Sequence, residues 1–200
     1  MEYAYSLNPI TSVGGIIETV ASGSIAADIG LQPGDKVLAI NDQPLRDMID
    51  YRFAIVNSLV ELAVYSHDEV TIYEIEKDPE DDLGITFTEP LFDRLRTCNN
   101  KCPFCFLTQM PKGMRKTLYL KDDDYRLSFL YGNFVTLTNL SEADWQRIEA
   151  QHLSPMHISV HATDPAMRSV MLGKTPVPDV LAQIERLGRA SIEVHTQIVA

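Results

Sequence analysis

The three cysteines of this chain fall within one short run, Cys98-Asn99-Asn100-Lys101-Cys102-Pro103-Phe104-Cys105, and they are the only cysteines in 200 residues. The spacing is C-x3-C-x2-C, with an aromatic directly before the last thiol. Three thiols set among Asn, Lys and Pro do not read as core, so the segment is expected to be a loop that serves a ligand. Three thiolates on one loop can hold three irons of a cubane cluster and leave the fourth iron open for chemistry, whereas a fully ligated cluster mostly carries electrons. Zinc is the main rival. It would need a fourth ligand from a distant residue such as His157 or His161. A disulfide with one thiol left over fits an oxidising compartment, and no export signal is visible at Met1-Glu2-Tyr3-Ala4-Tyr5-Ser6.

The formal net charge is −11, which argues against a protein built to grip a nucleic-acid backbone. One small basic cluster, Lys112, Arg115 and Lys116, follows the cysteines; it reads equally as a solvated loop or as the wall of a local pocket. Apolar content of 45% and charged content of 22% are those of an ordinary globular protein. No window approaches the roughly 18 apolar residues of a membrane span. The expectation is a cytoplasmic protein with no membrane segment.

The first part of the chain reads as a small β-rich domain over residues 1–77. Strands are predicted at 15–20, 36–40, 61–65 and 69–75, a helical turn at 24–29, and a helix at 47–57. Gly30-Leu31-Gln32-Pro33-Gly34-Asp35 carries turn chemistry, Asn41-Asp42 a tight turn, and residues 66–68 a polar turn. The acidic stretch Asp78-Pro79-Glu80-Asp81-Asp82-Leu83-Gly84 reads as a linker. From residue 85 to 200 strands alternate with helices. Strands are predicted at 91–97, 127–131 with a continuation at 134–138, 156–161 and 191–199. Helices are predicted from Ser141, as cap, to about Gln151, after Asp164-Pro165, and over 177–187 with a stop near Gly188. Such alternation implies βαβ units and a parallel sheet, with chemistry on loops at the C-terminal ends of the strands.

Residues 156–161 alternate so that His157, Ser159 and His161 share one face, and Glu193, His195 and Gln197 share a face of the last strand. Three polar side chains on one face of a barrel strand need partners or a wet cavity. Arg168, after Asp164-Pro165, reads first as a surface residue of its helix, with approach to a ligand carboxylate as the alternative.

Two resemblances are carried by longer motifs. Ile16-Ile17-Glu18-Thr19-Val20, Ser24-Ile25-Ala26-Ala27, Gly30-Leu31, Pro33-Gly34-Asp35-Lys36-Val37 and Ile40-Asn41 resemble a bacterial PDZ domain, a fold that binds extended peptides at a sheet edge. Ser12-Val13-Gly14-Gly15 lies where that family's carboxylate-binding loop would be. The cysteine motif with Phe104, together with Pro111-Lys112-Gly113-Met114-Arg115-Lys116-Thr117-Leu118-Tyr119 and Asp122-Asp123-Asp124-Tyr125-Arg126-Leu127-Ser128-Phe129-Leu130-Tyr131-Gly132-Asn133, resembles the radical S-adenosylmethionine (SAM) enzymes. The resemblance is to the bacterial group that joins an N-terminal PDZ domain, a radical SAM core and a domain of unknown function 512. It implies an α/β fold: a PDZ-like β-rich domain followed by a partial (β/α) TIM-like radical SAM barrel, with this chain as an N-terminal fragment. It also implies an oxidoreductase with a 4Fe-4S cluster on Cys98, Cys102 and Cys105. Phe104 would touch adenine, Gly132 and Asn133 would meet the methionine end in place of a Gly-Gly-Glu motif after the second barrel strand, and Ser159 and His161 would reach the ribose or substrate. An external electron donor such as flavodoxin or ferredoxin is implied, and a peptide at the PDZ-like domain is possible. The alternative is a zinc-stapled, PDZ-type interaction protein without catalysis; an electron carrier is a third reading. The substrate and the catalytic residues are not identified by the sequence.

Overall fold

The computed structural model describes residues 13–199. The chain divides into two compact units, Met1–Arg94 and Leu95–Ala200.

In the first unit, β1 (Gly15–Val20), α1 (Ile25–Asp28), β2 (Lys36–Ile40), β3 (Gln43–Pro44), α2 (Met48–Ala54), β4 (Leu59–Ser66), β5 (Glu69–Glu76) and β6 (Ile85–Phe87) follow in order. The strands run β5-β4-β2-β1-β6 across the sheet, with β3 paired to β2. The two predicted turns take the form that twisted hairpins favour: Asn41 and Asp42 between paired Ile40 and Gln43, and His67 and Asp68 between paired Ser66 and Glu69, all have positive φ. Alternation places Val60, Leu62 and Val64 of β4 in the core beside Val37 and Ile40 of β2. Two caps fix the helices: Ser24 accepts from the Ala27 amide, and the fully buried Asp47 accepts from Ile49 and Asp50.

The predicted linker is part of this unit. Leu83 is buried, its carbonyl accepts from the Ala26 amide, and the Gly84 carbonyl accepts from the Ala21 amide. Gly84 has φ +80 and lies so close to Ser24 that a Cβ would overlap that side chain. Residues 85–87 then pair antiparallel with β1. Phe87 packs edge-on to Tyr51 of α2 at 4.9 Å and against Phe92 at 4.8 Å. The boundary between units therefore falls at Arg94 and Leu95, not within 78–84: apolar residues 83, 85 and 87 bury better on β1 and α2 than they would in a solvated tether. Of the expected carboxylate-binding loop, Ser12 lies outside the described residues, and Gly14 is packed tightly against the Val37 carbonyl of β2.

The second unit contains α3 (Phe106–Gln109), a 3-10 turn (Lys116–Tyr119), α4 (Tyr125–Tyr131), α5 (Glu142–Ala150), β7 (Met156–Ser159), α6 (Pro165–Leu172), α7 (Val180–Arg189) and β8 (Val194–Gln197). Strands β7 and β8 are parallel, His157 opposite His195 and Ser159 opposite Gln197, and Val135 forms a parallel bridge to Ile158. Val135, Leu137, Met156, Ile158 and Val160 are buried with Ile148, Leu172, Val180 and Leu187 of the helices. The α/β reading holds, with several corrections. Residues 127–131 are helical, not a strand. Asp124 caps α4 by accepting from the Arg126 amide, and Gly132 closes it in the left-handed region at φ 75. The segment that lies along β7 is 134–138. Residues 91–97 form no strand, only single bridges at Leu91 and Thr97. Helix α7 starts at its Asp179 cap and runs through Gly188 to Arg189. The other two predicted helix starts hold: Ser141 and Asp144 form a reciprocal capping box, and Asp164 caps α6 with Pro165 in its first turn.

Candidate functional site

The cysteine loop has almost no regular structure of its own, so its shape comes from tethers. The Cys98 amide donates to the Lys121 carbonyl at 2.8 Å, the Lys101 amide to the Leu172 carbonyl at 2.8 Å, and the Cys105 amide to the Cys102 carbonyl at 3.2 Å. Asn100, 3% exposed, is the pivot. Its side-chain amide donates to the Thr136 hydroxyl at 2.9 Å, its side-chain oxygen accepts from Thr138 at 3.1 Å, and its backbone carbonyl accepts from Lys121 Nζ at 2.8 Å. Thr136 in turn donates its amide and hydroxyl to the buried Asp123 carboxylate, each at 2.6 Å. Burial pushes the Asp123 carboxyl upward, against the two bonds from Thr136.

All three thiols are free and half-buried. They line one cavity of about 550 Å³ together with Phe104, Lys121, Asn133, Ser159, His161 and Gln197. Burial raises the Cys98 and Cys102 thiols; Cys98 and Cys105 add to the effect at Cys102, and Lys121 opposes it at both. The metal-free thiol form is thus favoured, and a metal binding here would displace protons.

The predicted site residues come together, with one exception. Phe104 packs against the His161 ring at 4.8 Å, and His161 Nδ1 accepts from the Val199 amide at 3.3 Å. Burial, then the charge of Arg168, lowers the His161 pKa. Asn133 donates to Asp122 at 2.7 Å. His157 and Ser159 share one face of β7, as alternation requires; the strand ends at Ser159, and His161, at φ 61, lies beyond it but lines the same cavity as Ser159, while His157 stacks on His195 at 4.8 Å. Gly132 is the exception. It follows a helix instead of the second strand, does not line the cavity, and sits over the His157 ring. The end of the strand-like segment beside β7 is Thr138-Asn139, where Asn139 donates to the Asp123 carbonyl at 2.9 Å.

Arg168 corrects the surface reading. It is 1% exposed, and its guanidinium donates to the carbonyls of Thr136, Ser159 and Val160. Sequence reasoning also passed over Asn100, Asp123 and Thr136. Their one visible signal is the run Asp122-Asp123-Asp124, in which two carboxylates are buried.

The donor set suits an iron–sulfur cluster in kind: three thiols from one loop in one cavity, with Lys121 facing them. Their positions are less complete. Among the described residues no three His, Cys, Asp or Glu side chains converge as a metal site. That holds equally for three thiols alone and for a zinc set completed by His157 or His161.

The sequence profile described as a radical SAM-like domain matches residues 77–200. The chain belongs to that family. A PDZ-domain profile matches residues 16–65, so a PDZ domain precedes the radical SAM-like domain. No curated protein matches the chain. Among solved structures, the chain is similar to the PDZ domain of an SdrC-like protein from Listeria monocytogenes, with 20% identity over 42% of this chain and 97% of that one and a TM-score of 0.35. The corresponding domain from Listeria innocua gives 22% identity over 40% and 98%, with a TM-score of 0.33. No described helix of this radical SAM-like protein is long and apolar enough to cross a membrane.

Proposed function

We propose that this chain carries the cluster- and SAM-binding part of an iron–sulfur oxidoreductase of the radical SAM type. The observation that carries the reading is one cavity lined by Cys98, Cys102, Cys105, Phe104, Asn133, Ser159 and His161. The cysteines would hold a 4Fe-4S cluster. When both are bound, cluster and SAM supply reductive cleavage of the sulfonium to methionine and a 5′-deoxyadenosyl radical.

The chain's own residues do the remaining work. Phe104 and His161 present an aromatic wall suited to a planar base. Asn133 and Ser159 offer neutral hydrogen-bonding groups for the amino acid and ribose ends. Phe106 and Leu107 add apolar lining to the cavity, Phe106 from an exposed position at its rim. From Cys98 to Lys121 the chain has five cations (Lys101, Lys112, Arg115, Lys116, Lys121) and no acid. On a protein of net charge −11 this stretch suits an acidic electron donor such as flavodoxin or ferredoxin. A peptide at the PDZ domain would add to a sheet edge, which β5 and β6 provide at the two ends.

Anaerobic reconstitution with iron and sulfide tests the reading. A brown protein with acid-labile sulfide is expected, whose spectrum changes on adding SAM; Cys102→Ala loses the cluster. Stoichiometric zinc without sulfide in native protein would overturn it.

A further inference from the structure

The tethers of the cysteine loop that reach farthest along the chain run to the C-terminal end of α6. In the middle of that helix Arg168 grips the ends of two neighbouring strand segments. Nη2 donates to the Thr136 carbonyl at 2.8 Å, and Nη1 to Ser159 at 3.2 Å and to Val160. At the C-terminal end of the helix, the Leu172 carbonyl accepts from the Lys101 amide, and the Cys102 thiol lies 3.9 Å from it. Gly173 lets the Lys101 carbonyl approach so closely that any Cβ there would overlap it. Lys174 Nζ donates to Asn99 Oδ1 at 2.7 Å and to the Thr138 carbonyl at 3.0 Å. Asn100 completes the set through Thr136 and Thr138. Each residue from Asn99 to Cys102 is therefore held either by the end of α6 or by the segment that Arg168 grips.

Filling space does not account for Arg168. Its guanidinium donates to neutral carbonyls, and its Nε has no partner among the described residues. Burying a guanidinium this way is costly, and an apolar side chain of similar volume would pack at lower cost. An apolar residue cannot fix three carbonyls from two strand segments in one plane, nor can it place a permanent charge behind the loop. Of the three thiols, that charge is within electrostatic reach of Cys102, which acts on Arg168 more weakly than Asp123 does.

We propose that α6 is the brace of the cysteine loop and Arg168 its positioning residue, which sets the loop against the strand ends and raises the reduction potential of a cluster held there. The second half rests on the cluster reading above; the first does not.

Three variants of the full chain separate the parts. Arg168→Gln removes the charge, Arg168→Lys keeps the charge but loses the fork, and Lys174→Met removes only the outer tether. In reconstituted protein the potential is expected to shift negative in Arg168→Gln and to stay near wild type in Arg168→Lys, whose reduced cluster shows an altered electron paramagnetic resonance (EPR) spectrum. In metal-free protein, amide exchange over residues 99–102 rises roughly tenfold in Lys174→Met, the loss of about one hydrogen bond, while α5 keeps its protection. Arg168 variants with wild-type potential, spectrum and loop exchange would overturn the proposal. If wild-type protein takes up no cluster, the cluster reading fails by itself and loop exchange decides the brace. If the Arg168 variants do not fold, unchanged exchange in Lys174→Met sinks it.

Discussion

The two units solve the same problem with different materials. The PDZ unit buries one connected apolar cluster under a continuous ladder of strands. Its only buried polar residues among those described are Asp47 and Lys77. The radical SAM-like unit buries Asn100, Asp123, Asp124, Arg126, Ser128, Thr136, Asp144, Arg147, Ser159 and Arg168. A ladder specifies a sheet by repetition. A loop that must present three thiols has no ladder to copy, so each turn of its backbone needs its own directional partner. Buried polar networks supply that direction at a cost in desolvation, and they tolerate little loss.

Two buried aspartates that both cap helices give the sharpest test of this contrast. Asp47 in the PDZ unit accepts from Ile49 and Asp50. Asp124 in the other unit accepts from Arg126 and also pairs with that residue's guanidinium at 2.7 Å, both side chains being buried. Asp124→Ala is expected to cost about 3–5 kcal/mol, because it breaks a buried ion pair by removing one partner. Asp47→Ala is expected to cost about 1–2 kcal/mol as a lost cap. Denaturant melts of both variants measure the difference, and equal losses would erase the distinction drawn here. Next in size is Gly84→Ala. The strained φ and the overlap with Ser24 should cost about 1–3 kcal/mol, with the early loss of protection confined to β6 and α1 in amide exchange; a neutral effect would mean that residues 78–84 are a tether after all.

The smallest effect concerns acid. Burial alone would raise the Asp144 carboxyl, but the bonds from Arg96 and Ser141 outweigh it and hold the group down at about 2. A lowered folded pKa gives stability that is full above the unfolded value near 3.8 and is lost as pH falls toward 2. Asp144→Asn should therefore flatten the stability profile of wild type between about pH 4 and pH 2, and a profile that stays parallel to wild type would assign the acid sensitivity elsewhere.

What was legible in the sequence is what local chemistry decides. The helix starts at Ser141 and Asp164, the Asn41-Asp42 turn and the cysteine spacing each act within a few residues. Alternation puts His157 and Ser159 on one face of β7, but it does not extend to His161, whose φ of 61 ends the strand pattern. Residues 127–131 misled because their apolar positions suit a short strand as well as a helix; the decisive signals were the Asp124 cap before them and Gly132 after. The pairing of residues 85–87 is not legible locally because its partner, β1, lies far back in the chain. Arg168 was misplaced because its partners are main-chain carbonyls, which no side-chain pattern announces.

The attachment of Cys102 to a carbonyl 70 residues downstream also has a consequence for biogenesis. The thiols leave the ribosome long before the helix that shapes their loop. Until residue 174 has been translated, the three cysteines of the nascent chain lack the partners that fix the course of their loop.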